Sequence, residues 1–94
     1  MILVREVFVC KPGMAGKFAK LMKSVMQGAP ERVVVMTDLT GQFNKVVMHS
    51  EYKSFQDFEN RMKDYSQNQI WRDRMAGYTE MYQTGKREIY QITE

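Results

Sequence analysis

The segment ILVREVFVC, residues 2–10, places Ile2, Val4 and Phe8 on one side of an extended chain and Leu3, Val7 and Val9 on the other. Alternate side chains of a strand point to opposite faces, so both faces here are apolar. A second run, RVVVMTDL at 32–39, is apolar on both sides as well. A strand with one wet face alternates apolar and polar residues. These strands do not, so whatever sheet they form must be covered twice.

The remaining segments show what can do the covering. Lys11-Pro12-Gly13 ends the first strand in a turn: Pro12 presets φ and Gly13 admits a positive φ. Ala15, Phe18, Met22, Val25 and Ala29 then recur at helical spacing, and Gly28 and Pro30 close that helix. Thr40-Gly41 reads as a hairpin turn into the third strand, NKVVMHSEYK. Ser54, with Asp57 three residues on, caps a second helix whose buried stripe is Phe55, Phe58, Met62 and Tyr65. Ser66 with Gln69 repeats the capping pattern, so that helix bends or a third begins. Trp71, Met75, Tyr78 and Tyr82 run down one side of the new segment, Thr84-Gly85 closes it, and REIYQIT is the last strand.

The order is β-α-β-β-α-β, which predicts an α+β, ferredoxin-like fold: one domain, residues 1–94, with a four-stranded antiparallel sheet and helices on one face. Those helices cover one apolar face. The simplest cover for the other is a second copy of the same sheet, which makes the expected partner the chain itself, as a homodimer. A lone domain this small buries only about 60–65% of the surface its unfolded chain exposes, so burial against a partner matters.

Several functions are disfavoured by the residues. Net charge is +3 and uneven: residues 1–32 carry six Lys and Arg against two Glu, the remainder eight against nine. Lys17, Lys20 and Lys23 fall along the outer side of the first helix, the pattern of a solvated face. RNA-recognition domains share the element order but need exposed aromatics on their middle strands; Met48 and His49 stand there instead, so no nucleic-acid partner is expected. The stretch CKPGMAGKF, 10–18, resembles a phosphate loop only superficially. Two residues rather than four separate Gly13 from Gly16, and Phe18 occupies the place of the magnesium-binding hydroxyl. The single cysteine, Cys10, precludes an intrachain disulfide and sits where a buried, inert thiol belongs. MILVREVFVC is too short to span a bilayer and lacks the pattern of a signal peptide. The expectation is a cytoplasmic protein with no membrane partner.

Chemistry has few candidates. His49, the only histidine, shares a strand face with Val47 and Glu51, and a carboxylate beside an imidazole can set its tautomer for general-base work. Residues two apart on a strand are roughly 6.5–7 Å apart, however, beyond a direct hydrogen bond. One His, one Cys and scattered carboxylates make none of the usual metal spacings, so neither metal nor other cofactor is expected. Nine methionines in 94 residues fall mainly on the core stripes, where they suit adaptable packing or the wall of a forgiving apolar pocket.

Strand one running into KPG, a helix opening with GKF, EYKS followed by FQDFE, the Trp71 helix and the terminal REIYQI strand together resemble the dimeric α+β barrel superfamily. That superfamily includes antibiotic-biosynthesis-type monooxygenases, heme-degrading oxygenases and NIPSNAP-like proteins. The resemblance covers nearly the whole chain. It implies two sheets paired face to face as a dimeric α+β barrel, with a cavity beneath the helices that takes an apolar or aromatic ligand. Heme breakdown there uses an Asn on strand one and a Trp and a His on the helices; this chain has no Asn on strand one and no His after residue 49. The cofactor-independent monooxygenases use Asn, Trp and Tyr on a phenolic substrate, types that Asn68, Trp71 and Tyr78 supply. On this reading His49 and Trp71 are the catalytic candidates, and Arg5, Glu51, Asn68 and Tyr78 bind ligand, Arg5 holding a carboxylate or phenolate. The alternative is a non-catalytic dimeric assembly protein whose cavity is filled by its own side chains.

Overall fold

The computed structural model describes residues 1–94. Strand β1 (Ile2–Cys10) leads into helix α1 (Ala15–Met26), and strands β2 (Val33–Thr37) and β3 (Lys45–Tyr52) follow. Helices α2 (Phe55–Gln67) and α3 (Gln69–Arg74), a 3₁₀ turn over Tyr78–Glu80 and strand β4 (Tyr82–Gln91) complete the chain. The strands make one antiparallel sheet in the order β2-β3-β1-β4. This is the expected α+β architecture, with the second helical region divided in two.

Local chemistry accounts for the boundaries. Gly13 takes φ +79°, and the Met14 N–H donates to the Lys11 carbonyl at 3.0 Å, so the opening glycine-rich stretch is a turn. Ser54 Oγ accepts from the Asp57 N–H at 3.2 Å and starts α2. The cap of α3 differs from the expected Ser66–Gln69 pair. Asn68 Oδ1 accepts from the Trp71 N–H at 3.0 Å, while Ser66 Oγ donates to the Lys63 carbonyl inside α2. An Asn in extended backbone satisfies an orphan donor of the new helix, which Ser66, two residues earlier and still within α2, does not reach.

Two further expectations change. The β2–β3 connection is a seven-residue loop organised by Asp38, whose Oδ1 accepts from the backbone of Thr40 and Gly41 and whose Oδ2 lies 3.1 Å from Lys45 Nζ. Gly85 does not close a helix; it lies within β4 opposite Phe8. A Cβ there would stand 3.1 Å from the Phe8 ring, so the missing side chain makes room for the aromatic.

Strand register assigns the two faces. Ile2, Val4, Phe8 and Cys10 of β1 and Val46, Met48 and Tyr52 of β3 are buried and pack into the two core clusters with Phe18, Met22, Val25, Phe58 and Met75 from the helical side. Phe55, expected on the buried stripe of α2, is half exposed and reaches the core only through Phe58, 5.9 Å between ring centroids. Leu3, Arg5, Val7 and Val9, with Val34, Met36, Val47 and His49, occupy the face turned away from the helices. No helix of the structure is long and apolar enough to cross a membrane.

Candidate functional site

Between the sheet and helices α1 to α3 lies a cavity of about 460 Å³, within the size range of small-molecule sites. Twelve of its 18 lining residues are hydrophobic, so an apolar ligand would replace water there. Five are methionines: Met22 and Met26 from α1, Met48 from β3, Met62 from α2 and Met75 after α3. Unbranched thioether chains repack around different shapes, which makes the wall adaptable. The methionine-rich composition was the sequence signal for its wall, beside the family resemblance that implied a cavity.

The polar groups on this wall are few. Trp71 lines the cavity, and its Nε1 is buried without a hydrogen-bond partner. Its ring stacks on Tyr65 with centroids 4.9 Å apart and planes 17° from parallel. Tyr78 and Tyr82 line the same space, 5.9 Å apart, and burial, with Tyr82 adding to it, raises the Tyr78 phenol above its ordinary range. Burial likewise pushes Tyr52 up to about 12, with the Glu31 carboxylate adding to the shift. These phenols therefore stay protonated and available as donors at neutral pH. Glu6 and Arg87 also reach the cavity, Arg87 Nη2 standing 3.5 Å from Glu6 Oε1 and its guanidinium 5.3 Å from the Phe58 ring centroid.

The residues singled out from sequence divide between the two faces of the sheet. Trp71 and Tyr78 line the cavity, and Asn68 stands at the start of α3 with its side chain engaged as the cap that accepts from the Trp71 backbone N–H. Arg5, His49 and Glu51 lie on the opposite face, with the sheet between them and Trp71. Val34, His49, Arg5 and Glu88 form one row across the four strands. Arg5 Nη1 donates to Glu88 Oε1 at 2.8 Å, and the Tyr90 hydroxyl donates to the other carboxylate oxygen. Tyr90 first and Arg5 second hold the Glu88 carboxyl below its usual range. His49 Nε2 is buried without a partner, and exposed Glu51 sits in the adjacent row beside Leu3. Burial raises the Cys10 thiol above its ordinary range, in keeping with an inert core cysteine.

Glu6 and Arg87 escaped the sequence reading. Arg87 faces the helices only because β4 pairs with β1 in the register that sets it opposite Glu6, and that register is not visible in either strand alone.

No protein-family model matches the chain, and no curated protein matches it by sequence. Solved structures match along its whole length. A NIPSNAP domain protein from Burkholderia xenovorans superposes with a TM-score of 0.85 at 13% identity, covering 99% of this chain and 95% of the other. A NIPSNAP family protein from Agrobacterium tumefaciens gives 0.87 at 14%, covering 99% and 86%. An antibiotic biosynthesis monooxygenase gives 0.74 at 11%, with 100% of each chain covered. The chain shares their ferredoxin-like α+β fold. At such identities the likeness carries architecture and leaves activity to the site.

Proposed function

We propose that this protein is a cytoplasmic homodimer that binds an apolar or aromatic small molecule in the cavity beneath its helices. The observation that carries the reading is the buried, unpartnered indole N–H of Trp71 in the wall of a largely apolar cavity. A buried donor without a partner is costly, and a ligand oxygen would satisfy it. The matching ligand has an apolar body and a carbonyl, phenol or carboxylate oxygen. Arg87 supplies positive charge for an anionic form of that oxygen, and Tyr78 supplies a second donor.

The name of the monooxygenase that shares the fold suggests oxygenation. Together with the resemblance drawn from the sequence, the reading is cofactor-independent oxidation of a phenolic substrate by molecular oxygen, with Trp71 and Tyr78 holding the substrate oxygen and Asn68 fixing the start of α3. In this reading Arg5, His49 and Glu51 act on the outer face, where a second copy of the sheet covers Leu3, Val9, Val34 and Met36. The pairing of Arg5 with Glu88 lets the centre of that face be covered without stranding the Arg5 charge.

Native mass spectrometry of the purified protein, before and after denaturation, tests both parts. The expected mass is twice 11.1 kDa with a small adduct released on unfolding. Trp71→Phe keeps an aromatic plate but removes the donor, and is expected to weaken adduct retention about tenfold. A dimer that never carries or takes up an aromatic ligand favours the assembly reading, and a monomer refutes the pairing.

A further inference from the structure

Glu31 lies outside the cavity, on the connection between α1 and β2, yet its side chain is only 5% exposed. A carboxylate is rarely buried this far without a task for its charge. Two groups of α2, one helical turn apart, converge on it. The Tyr65 hydroxyl donates to Oε1 at 3.1 Å, and Arg61 Nε lies 3.1 Å from Oε2 as an ion pair. Oε2 is buried without an aligned hydrogen bond, so the Tyr65 hydroxyl makes the hydrogen bond of this carboxylate, while the Tyr52 phenol lies close enough to feel its charge. Burial, reinforced by Glu31, keeps the Tyr65 phenol protonated as its donor. The Tyr65 ring is the plate on which Trp71 stacks.

We propose that Glu31 is a positioning residue that acts through Tyr65 to hold the Trp71 indole, and hence its unpartnered N–H, at the wall of the cavity. The chain of contacts is short. Glu31 fixes the hydroxyl end of Tyr65, Arg61 lies 5.8 Å from the centroid of the same ring, and the stacked indole inherits its plane. Two features make such an anchor necessary. Helix α3 has only six residues, too few to hold its own orientation, and it begins at a break in the helix where Asn68 is in extended backbone. Its cap orients the first turn of backbone, whereas the indole plane depends on what it packs against.

The inference rests on the ligand-binding reading for its consequence, but its geometric half can be measured separately, because Trp71 is the only tryptophan. Acrylamide quenching of the intrinsic fluorescence reports how tightly the indole is held. Binding of 1-anilinonaphthalene-8-sulfonate, an aromatic anion, reports the cavity. The variants are Glu31→Ala, which removes the acceptor; Glu31→Gln, which keeps an acceptor and drops the charge; and Tyr65→Phe, which keeps the ring and removes the hydroxyl. Arg61 retains Asp64, 3.6 Å away, so the first variant does not leave it wholly unpaired. Far-ultraviolet circular dichroism checks that each variant is folded.

Glu31→Ala and Tyr65→Phe are expected to raise the quenching constant about twofold or more and to weaken dye binding about five- to tenfold. Glu31→Gln should fall between them and the parent protein. Unchanged quenching in folded Glu31→Ala, or looser quenching with unchanged dye affinity, overturns the proposal. If Glu31→Ala does not fold, Tyr65→Phe and Glu31→Gln decide by the same criteria. A parent protein that binds no dye sinks the ligand reading itself, while the quenching ratio still decides whether Glu31 sets the position of the indole.

Discussion

Two glycines of this chain are expected to respond to the same substitution with opposite signs. Gly85 sits in β4 in backbone that any residue can adopt, so alanine there would gain about 0.5–1 kcal/mol by restricting the unfolded chain. Its new Cβ would stand 3.1 and 3.3 Å from two carbons of the Phe8 ring. The ring has little room to retreat, because Phe18 is 4.8 Å away and Tyr82 5.1 Å away, centroid to centroid. Overpacking of this kind costs about 1–3 kcal/mol, so the steric term wins and Gly85→Ala should destabilise by about 1–2 kcal/mol. Gly16, in the first turn of α1, has nothing within 4 Å of its would-be Cβ. There the same substitution should stabilise by about 0.5 kcal/mol. For a domain of this size these become a fall of about 5–15 °C and a rise of about 2–4 °C in melting temperature, read by circular dichroism. Combining Gly85→Ala with Phe8→Leu should cost less than the sum of the two single changes, since the new Cβ and the Phe8 ring compete for one space. Melting temperatures that move in the same direction for the two glycines would refute the reasoning, because the opposite signs rest on the ring beside Gly85 and the open space beside Gly16.

Alkaline unfolding should report Tyr52. Its phenol is raised from 10 to about 12 in the fold, so the native state holds that proton more tightly than the unfolded chain. The associated stability, about 2–3 kcal/mol at most, is fully present below pH 10 and lost as pH climbs toward 12. Ultraviolet titration of the parent against Tyr52→Phe should show the variant losing one late-ionising phenol, and loss of an early-ionising one would contradict its burial. On the outer face, Leu3→Glu sets a second carboxylate directly beside Glu51 in the row that ends at Tyr90, so a covering sheet would have to bury two like charges. Sedimentation should show dimer giving way to monomer while secondary structure persists, and an undisturbed dimer would place the contact elsewhere.

The element order, the turn at Pro12-Gly13, the cap at Ser54 and the break in the second helical region were legible in the chain, because each depends on neighbours in sequence; the cap at that break is Asn68 rather than the expected Ser66. Helical and strand periodicities are local, and so are the steric rules of proline and glycine. What the sequence left open was parity and register. Arg5 and Glu6 lie side by side in β1, and nothing local says which one faces the helices. Pairing with β3 and β4 turns Arg5 outward to Glu88 and Glu6 inward to Arg87. The same pairing separates His49 and Glu51 from Trp71 and Tyr78, although all four are chemically plausible site residues. Glu31 and Gly85 show the limit most plainly. One is a charge in a loop and the other a glycine near a presumed helix end until the fold brings Tyr65 to the first and Phe8 to the second. Contacts between residues 34 and 77 positions apart depend on how elements pack, and that is a property of the tertiary structure alone.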